Sequence, residues 1–374
     1  MKKIVAKLTI LAVMLLGLPL SGVKCAGNDI STYLEFPPKT RYVEHAPFSL
    51  PVFLGVGLFV LLVVFPFIKH AYAYRSVEAK ADKNRLPFPW WGYAGLMMGT
   101  GSWILAWTRF EWFGLFQLHT FTPLWIAYIV VINALTYKRS GHCMMVDQPG
   151  YFLLLFPVST AFWWFFEYLN RFVQNWYYVE IHRFSPAEYF ILASVSFSTV
   201  LPAVLGTRGY LLTFSFFDRA FGSFARLSLP KPKQFGAVFL LISGMGLTCI
   251  GLFPNYLYPL LWVSPLVIIV SFQALAGEQH IFSALAEGDW RLFVTSALAA
   301  LICGFFWEMW NFYSLAKWIY SIPYAQRLHV FEMPLLGFAG YLPFGLGCAV
   351  IGDLVDQSKN LLFNKNRGVK AKAG

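Results

Sequence analysis

Charge is what this sequence has least of. Asp, Glu, Lys and Arg make up 13% of its 374 residues, where a soluble domain carries about a quarter. Only 18 residues are acidic. That scarcity excludes a soluble globular fold and a disordered chain, since both need a solvated, charged surface. Cysteine is sparse as well. Cys25, Cys143, Cys249, Cys303 and Cys348 are scattered, odd in number and outside any C-x-x-C or Cys/His spacing. A disulfide scaffold is thereby excluded, and the five read as small apolar residues of membrane helices. No G-x-G-x-x-G follows a strand pattern, and no P-loop or G-x-S-x-G occurs. The sequence therefore points to no cofactor. What is abundant is apolar surface. Hydrophobic residues reach 58% and aromatics 19%, with 38 Phe and 14 Trp. The fold class is all-α: a polytopic membrane helix bundle.

Residues 1–25 carry Lys2, Lys3 and Lys7 ahead of an apolar run from Leu8 to Leu20, then the small residues Ser21, Gly22 and Ala26. This pattern reads as a signal peptide, with an uncleaved N-terminal anchor as the alternative. Either reading exports an arm at 26–48 and implies a bacterial-type inner membrane. Nine apolar stretches follow, near 50–68, 88–108, 121–137, 151–171, 186–206, 234–253, 256–276, 292–312 and 334–354, each about the length of a spanning helix. With the arm outside, the inner segments hold eighteen Lys and Arg and the outer ones eight. The positive-inside rule then puts the C-terminus in the cytoplasm. It also accounts for the net charge of +11 without nucleic acid. The tail residues Lys365, Arg367, Lys370 and Lys372 suit contact with anionic lipid.

The chain carries an internal repeat of about 141 residues. Gly99-Thr-Gly101 matches Gly244-Met-Gly246, and Asn133-Ala-Leu135 matches Gln273-Ala-Leu275. Phe166-Glu167-x-x-Asn170 matches Trp307-Glu308-x-x-Asn311, Trp176-x-Tyr178 matches Trp318-x-Tyr320, and Pro202 matches Pro343. The expected organisation has two four-helix units, 88–206 and 234–354, joined by a cytoplasmic linker at 207–233. A first helix and basic loop at 49–87 precede them, and a basic tail at 355–374 follows. Four helices is an even number, so the units are parallel and related by an axis along the membrane normal.

Carboxyl groups within membrane helices are costly and usually functional. Glu167 and Glu308 stand at equivalent repeat positions, each among aromatics, such as Trp164 beside the first and Trp307 beside the second. Such a poorly hydrated wall disfavours the charged carboxylate and suits a general acid. Asn170 and Asn311 share the same helix faces and suit holding the carboxyl or a substrate oxygen. The competing reading makes each Glu-x-x-Asn pair a hydrogen-bonded staple between helices. Each pair is followed by Trp176/Tyr178 or Trp318/Tyr320, which read as substrate contacts or as interfacial belt residues. Glu188 and Glu332 follow near the next helix starts, as further acid/base candidates or as helix-dipole partners. His119, His182 and His329 share the outer side; His119 is a substrate-binding candidate. With no H-x-x-x-H or H-E-x-x-H spacing, no metal is expected.

These motifs resemble, distantly, the repeats of the integral-membrane lycopene cyclases. The matching residues are Glu167, Trp176, Tyr178, Pro186, Glu188 and Phe190, then Glu308, Trp318, Tyr320, Glu332 and Pro334. The likeness covers the last two helices of each unit, about a third of the chain. It departs from that family in having single rather than doubled Glu, in Glu332 preceding Pro334, and in the added Asn residues and arm. The resemblance implies a related fold and acid chemistry on an isoprenoid or lipid, not the cyclase reaction itself. Thr122-Pro-Leu-Trp125, Phe166-Glu-Tyr-Leu-Asn170 and Pro334-Leu-Leu-Gly-Phe338 also resemble segments of a bacterial family of polytopic membrane proteins, a likeness that carries no function.

Three functions fit. One is an intramembrane enzyme using Glu167 and Glu308 on a carotenoid-like isoprenoid or other lipid near the outer leaflet. Another is a transporter of lipids or small molecules, for which parallel repeats with membrane carboxyls are suited. The third is a non-catalytic scaffold whose Pro-rich arm at 26–48 docks a periplasmic partner.

Overall fold

A computed structural model describes residues 2–75 and 86–370, with side chains described over 6–75 and 86–357. The tail side chains read as a lipid contact lie outside the described residues, as does the centre of the basic loop. In a bilayer only helices satisfy a spanning backbone short of a closed barrel, and every apolar stretch read from the sequence is helical. The long helices are α1 (Lys2–Cys25), α2 (Leu50–Ala73), α3 (Trp90–Trp107), α4 (Phe121–Ser140) and α5 (Pro149–Val173). They continue with α6 (Pro186–Phe197), α7 (Val200–Leu212), α8 (Pro232–Cys249), α9 (Leu260–Ala276), α10 (Arg291–Phe312) and α11 (Tyr341–Lys370). Seven segments of this set are long and apolar enough to cross a membrane, with α6 and α7 counted as one. The other three expected stretches, α3, α8 and α9, are helices of 18, 18 and 17 residues.

Local chemistry sets the ends and breaks. Gly141 closes α4 and Gly277 closes α9, both at the positive φ that glycine adopts without strain. A capping box of Ser185 and Glu188 opens α6. The stretch expected as one helix at 186–206 is broken at Ser198–Thr199. Ser159 of α5 repairs the exposed backbone there: its hydroxyl donates to Phe197 O (2.6 Å) and accepts from Leu201 N (3.0 Å). The linker placed at 207–233 starts inside α7. Ser215–Phe221 is helical and joins Trp290, Val294 and Phe67 in a small satellite core.

The main core joins α1, α4, α5, α7 and α9–α11. Small residues set the closest approaches. A Cβ on Gly345 of α11 would collide with the Ser296 carbonyl of α10. Of the paired Gly-x-Gly motifs, Gly99 meets Ala127 and Gly246 meets Leu260, while Gly101 faces open space. The expected leader, α1, packs as a bundle helix. Leu11 and Val23 are buried, Lys7 pairs with Glu278, and the Tyr168 hydroxyl donates to Leu16 O.

Two short strands lie across one end of the bundle. β1 (Trp176–Tyr178) and β2 (Trp318–Tyr320) pair antiparallel, with Trp176 opposite Tyr320, Tyr177 opposite Ile319 and Tyr178 opposite Trp318. The ladder is centred on Tyr177/Ile319, with the two Trp-x-Tyr segments running in opposite directions about it. A second ladder pairs β3 (His329–Val330) with β4 (Met333–Pro334).

The arm at 26–48 is not free. It straps this ladder end. Arg171 donates to the carbonyls of Thr32, Glu35 and Pro37, and Tyr33 stacks on Phe172 with centroids 4.3 Å apart. Tyr178 N donates to Thr40 Oγ1, while Ser321 Oγ donates to Val43 O. His45 sits between Asn255 Oδ1 and Gln174 O. These bonds anchor the arm to the loops after α5 and α10 and to Asn255, while Leu34, Phe36 and Tyr42 stay exposed.

The close seating of α1 is testable. A Cβ on Gly22 would collide with the Thr248 carbonyl of α8. Gly22→Leu should destabilise the purified protein by about 1–3 kcal/mol through overpacking, read as a lower thermal midpoint in detergent. An unchanged midpoint would mean that α1 does not pack on α8.

Candidate functional site

The site is built at the ladder end from two buried carboxyls. Glu167 closes the last turns of α5, and Glu308 does the same in α10. Both are 0% exposed. A carboxyl removed from solvent needs hydrogen bonds, and each has them on one oxygen. Glu167 Oε1 accepts from Tyr178 Oη (2.6 Å), Trp163 Nε1 (2.9 Å) and Trp176 Nε1 (3.1 Å). Glu308 Oε1 accepts from Tyr341 Oη (2.6 Å) and Tyr320 Oη (2.7 Å). Tyr320 accepts in turn from Trp318 Nε1 (2.8 Å), which makes a donor chain running into the carboxyl. Among the described residues, Oε2 of each carboxyl has no hydrogen-bond partner. Burial, and then the adjacent carboxyl, pushes the Tyr178 and Tyr320 phenols well above their ordinary value. Both therefore stay protonated and donate.

The two asparagines turn the other way. Asn170 Nδ2 donates to Trp176 O (2.8 Å), and its Oδ1 accepts from Asn175 N (2.8 Å). Asn311 brackets Trp318 alone, donating to its O (2.8 Å) and accepting from its N (3.0 Å). Expected to hold a substrate oxygen or orient the carboxyl, they instead close the turn from each helix into its strand. Each Glu then receives the aromatic donors that the strand carries. Glu and Asn act as a unit, three residues apart on one face.

The aromatic donors form part of the wall of a cavity of about 960 Å³, at the upper end of the range for ligand sites. Trp163, Trp176, Tyr178, Trp307, Trp318 and Tyr320 line it at the ladder end, with Tyr341 beside them. The opposite wall is a stripe of α2 at helical spacing: Val56, Val60, Val63 and Phe67. α2 buries none of its residues. It is held near its ends, by Ser49 N donating to Tyr324 O and by His70 Nε2 at 2.6 Å from Ala220 O. The cavity is thus an apolar groove between one standing helix and the bundle.

The remaining candidates fall outside this core. His119 lines the cavity, its ring 6.0 Å from that of Phe184. Trp164 points away, stacking on Phe190 and donating to Ser194 Oγ (2.9 Å). Glu188 is exposed and engaged in the capping box of α6. Glu332 pairs with Lys317 at 2.5 Å. Neither of these Glu residues lines the cavity. Two donors were missed by the sequence reading. Trp163 was visible in principle, one helical turn before Glu167. Tyr341 lies 33 residues beyond Glu308 and carried no local signal.

No family model, curated protein or solved structure matches this chain.

The asparagine turns predict a structural phenotype. Asn170→Ala and Asn311→Ala each strand buried backbone groups, at a cost of about 1–3 kcal/mol per site. Hydrogen exchange should accelerate across 175–178 and 318–320 before the bundle melts. Unchanged protection in both variants would refute the assigned role.

Proposed function

We propose that the protein is an integral membrane enzyme that uses carboxyl acid/base chemistry on a lipid or isoprenoid held in the groove. The observation that carries this reading is a single arrangement. An apolar cavity large enough for a long chain ends at the hydrogen-bond donors of two buried carboxyls. A long apolar substrate fits walls built of Val, Phe and Trp, and the carboxyls supply proton transfer without a soluble cofactor. Aromatic faces at the closed end favour a developing positive charge.

On this reading the ladder end faces the outside of a bacterial inner membrane. The loop charge asymmetry supports that orientation, with α1 retained as an anchor and the C-terminal tail in the cytoplasm against anionic lipid. The two four-helix units derive from one ancestral unit. The pairing of β1 with β2 about Tyr177/Ile319 favours this, since a two-fold axis through that pair brings each residue onto its repeat counterpart. The transporter reading lacks a comparable observation, because the carboxyls lie at one end of the bundle rather than midway. The scaffold reading rests on the arm alone, which is anchored to the chain's own loops while Leu34, Phe36 and Tyr42 stay exposed.

The test is a lipid comparison by mass spectrometry. A strain lacking the protein is compared with the same strain carrying wild type or Glu167→Gln/Glu308→Gln. We expect a lipid or isoprenoid to change in the deletion and to return with wild type only. The double variant should reach the membrane with a near-normal thermal midpoint, because Gln keeps an accepting oxygen. Unchanged lipids, or full rescue by the double variant, would make the carboxyls loop staples.

A further inference from the structure

The two carboxyl clusters differ at one exchange of residues. At the common offset of 141, Trp163 corresponds to Gly304 and Val200 to Tyr341. In the first half the large donor comes from the carboxyl's own helix, and Trp163 reaches Glu167. In the second half that position is a glycine, and a Cβ on it would collide with the Tyr341 ring. Tyr341, from α11, fills the space and reaches Glu308 at 2.6 Å. One large ring and one small residue have changed places between two helices.

The exchange keeps a large ring beside each carboxyl, but not its chemistry. An indole N–H only donates, whereas a phenol both donates and accepts and so can pass a proton on. Tyr341 is also not needed to fasten the loop. Tyr320 already ties β2 to Glu308, and Asn311 closes the turn. Of the five donors on the two carboxyls, it alone comes from neither the carboxyl's helix nor its strand. Its ring stacks on Trp307 with centroids 6.0 Å apart and lines the cavity.

We propose that the halves have divided their labour: the Glu308–Tyr341 pair delivers a proton to an unsaturated chain in the cavity, and the Glu167 cluster clamps the loops. Gly304 is the positioning residue that admits the phenol. This rests on the enzyme reading above. The Tyr341 hydroxyl, which donates to Glu308 Oε1 in the resting structure, turns towards the chain, and its O–H bond breaks as a C–H bond forms there. The carboxyl proton of Glu308 passes to the phenol oxygen and leaves a carboxylate behind the Tyr341 ring. A neighbouring substrate carbon then returns a proton to the Tyr341 oxygen, as the phenol hands its own proton back to Glu308. The net change is a displaced double bond, with no oxidant or reductant and no proton consumed.

The experiment uses the full-length protein in nanodiscs in D2O, supplied with total lipid extract from the deletion strain. Wild type should yield a product carrying one added deuterium. Tyr341→Phe keeps the ring and its stack, and should lose at least about 10²-fold in rate with a thermal midpoint close to wild type. The double variant Gly304→Trp/Tyr341→Val rebuilds the first-half arrangement. It should fold, keep a donor on Glu308 and give no product; it also decides the matter should Tyr341→Phe prove unstable. An active double variant, or product without deuterium, overturns this division while leaving the enzyme reading intact. No conversion by wild type overturns both.

Discussion

A carboxyl group placed where neither water nor a cation can reach it must be hydrogen-bonded by its neighbours, and that requirement organises the ladder end of this bundle. Leaving such a group without donors costs several kcal/mol. Few side chains can donate from an apolar wall, and Trp and Tyr do so with little other polar surface. Glu167 and Glu308 therefore gather indoles and phenols, and most of those rings come from the strands that follow each helix. The strands are drawn onto the helix ends and pair with each other. The arm is then laid over them by Arg171, Thr40 and Ser321. The closed end of the cavity follows from the same bonds, because its wall consists of the donors.

Much of this was legible in the sequence. Hydropathy located most of the apolar helices to within about five residues, but it ran α6 and α7 together and started the last helix at 334, where α11 begins at Tyr341. The repeat spacing picked out both Glu-x-x-Asn pairs and both Trp-x-Tyr strands, which the structure brings together. The role of the asparagines was not legible. A carboxamide three residues after a Glu is equally suited to the carboxyl and to a turn, and only the path of the backbone after Val173 and Phe312 decides between them. The break at Ser198–Thr199 was hidden because the sequence is apolar on both sides. Its repair comes from Ser159, some forty residues earlier.

The arm shows a different limit. Its composition, polar and rich in proline, is that of an exported linker or docking segment. Composition records that a segment cannot build a core of its own. It does not record whose surface the segment lies on. Here the complementary groups are Arg171, Gln174 and Asn255, and none of them stands out in a linear reading.

The chemistry of the clusters bears on why they hold carboxyls at all. A glutamine at 167 or 308 could accept the same hydrogen bonds on its oxygen and carry no risk of a buried charge. An amide can also tie a helix to its strand, as Asn170 and Asn311 demonstrate one turn away, but its NH2 would stand where Oε2 has no partner. Both clusters hold the acid, while the donor from outside the strand differs: Trp163 in one and Tyr341 in the other. Packing accounts for the difference, because Gly304 and Tyr341 are complementary in volume. It does not account for an ionisable group common to both. A carboxyl differs from a carboxamide of the same shape in lacking the N–H donors and in its capacity to give up and take back a proton. The wall it stands behind is the wall of the cavity.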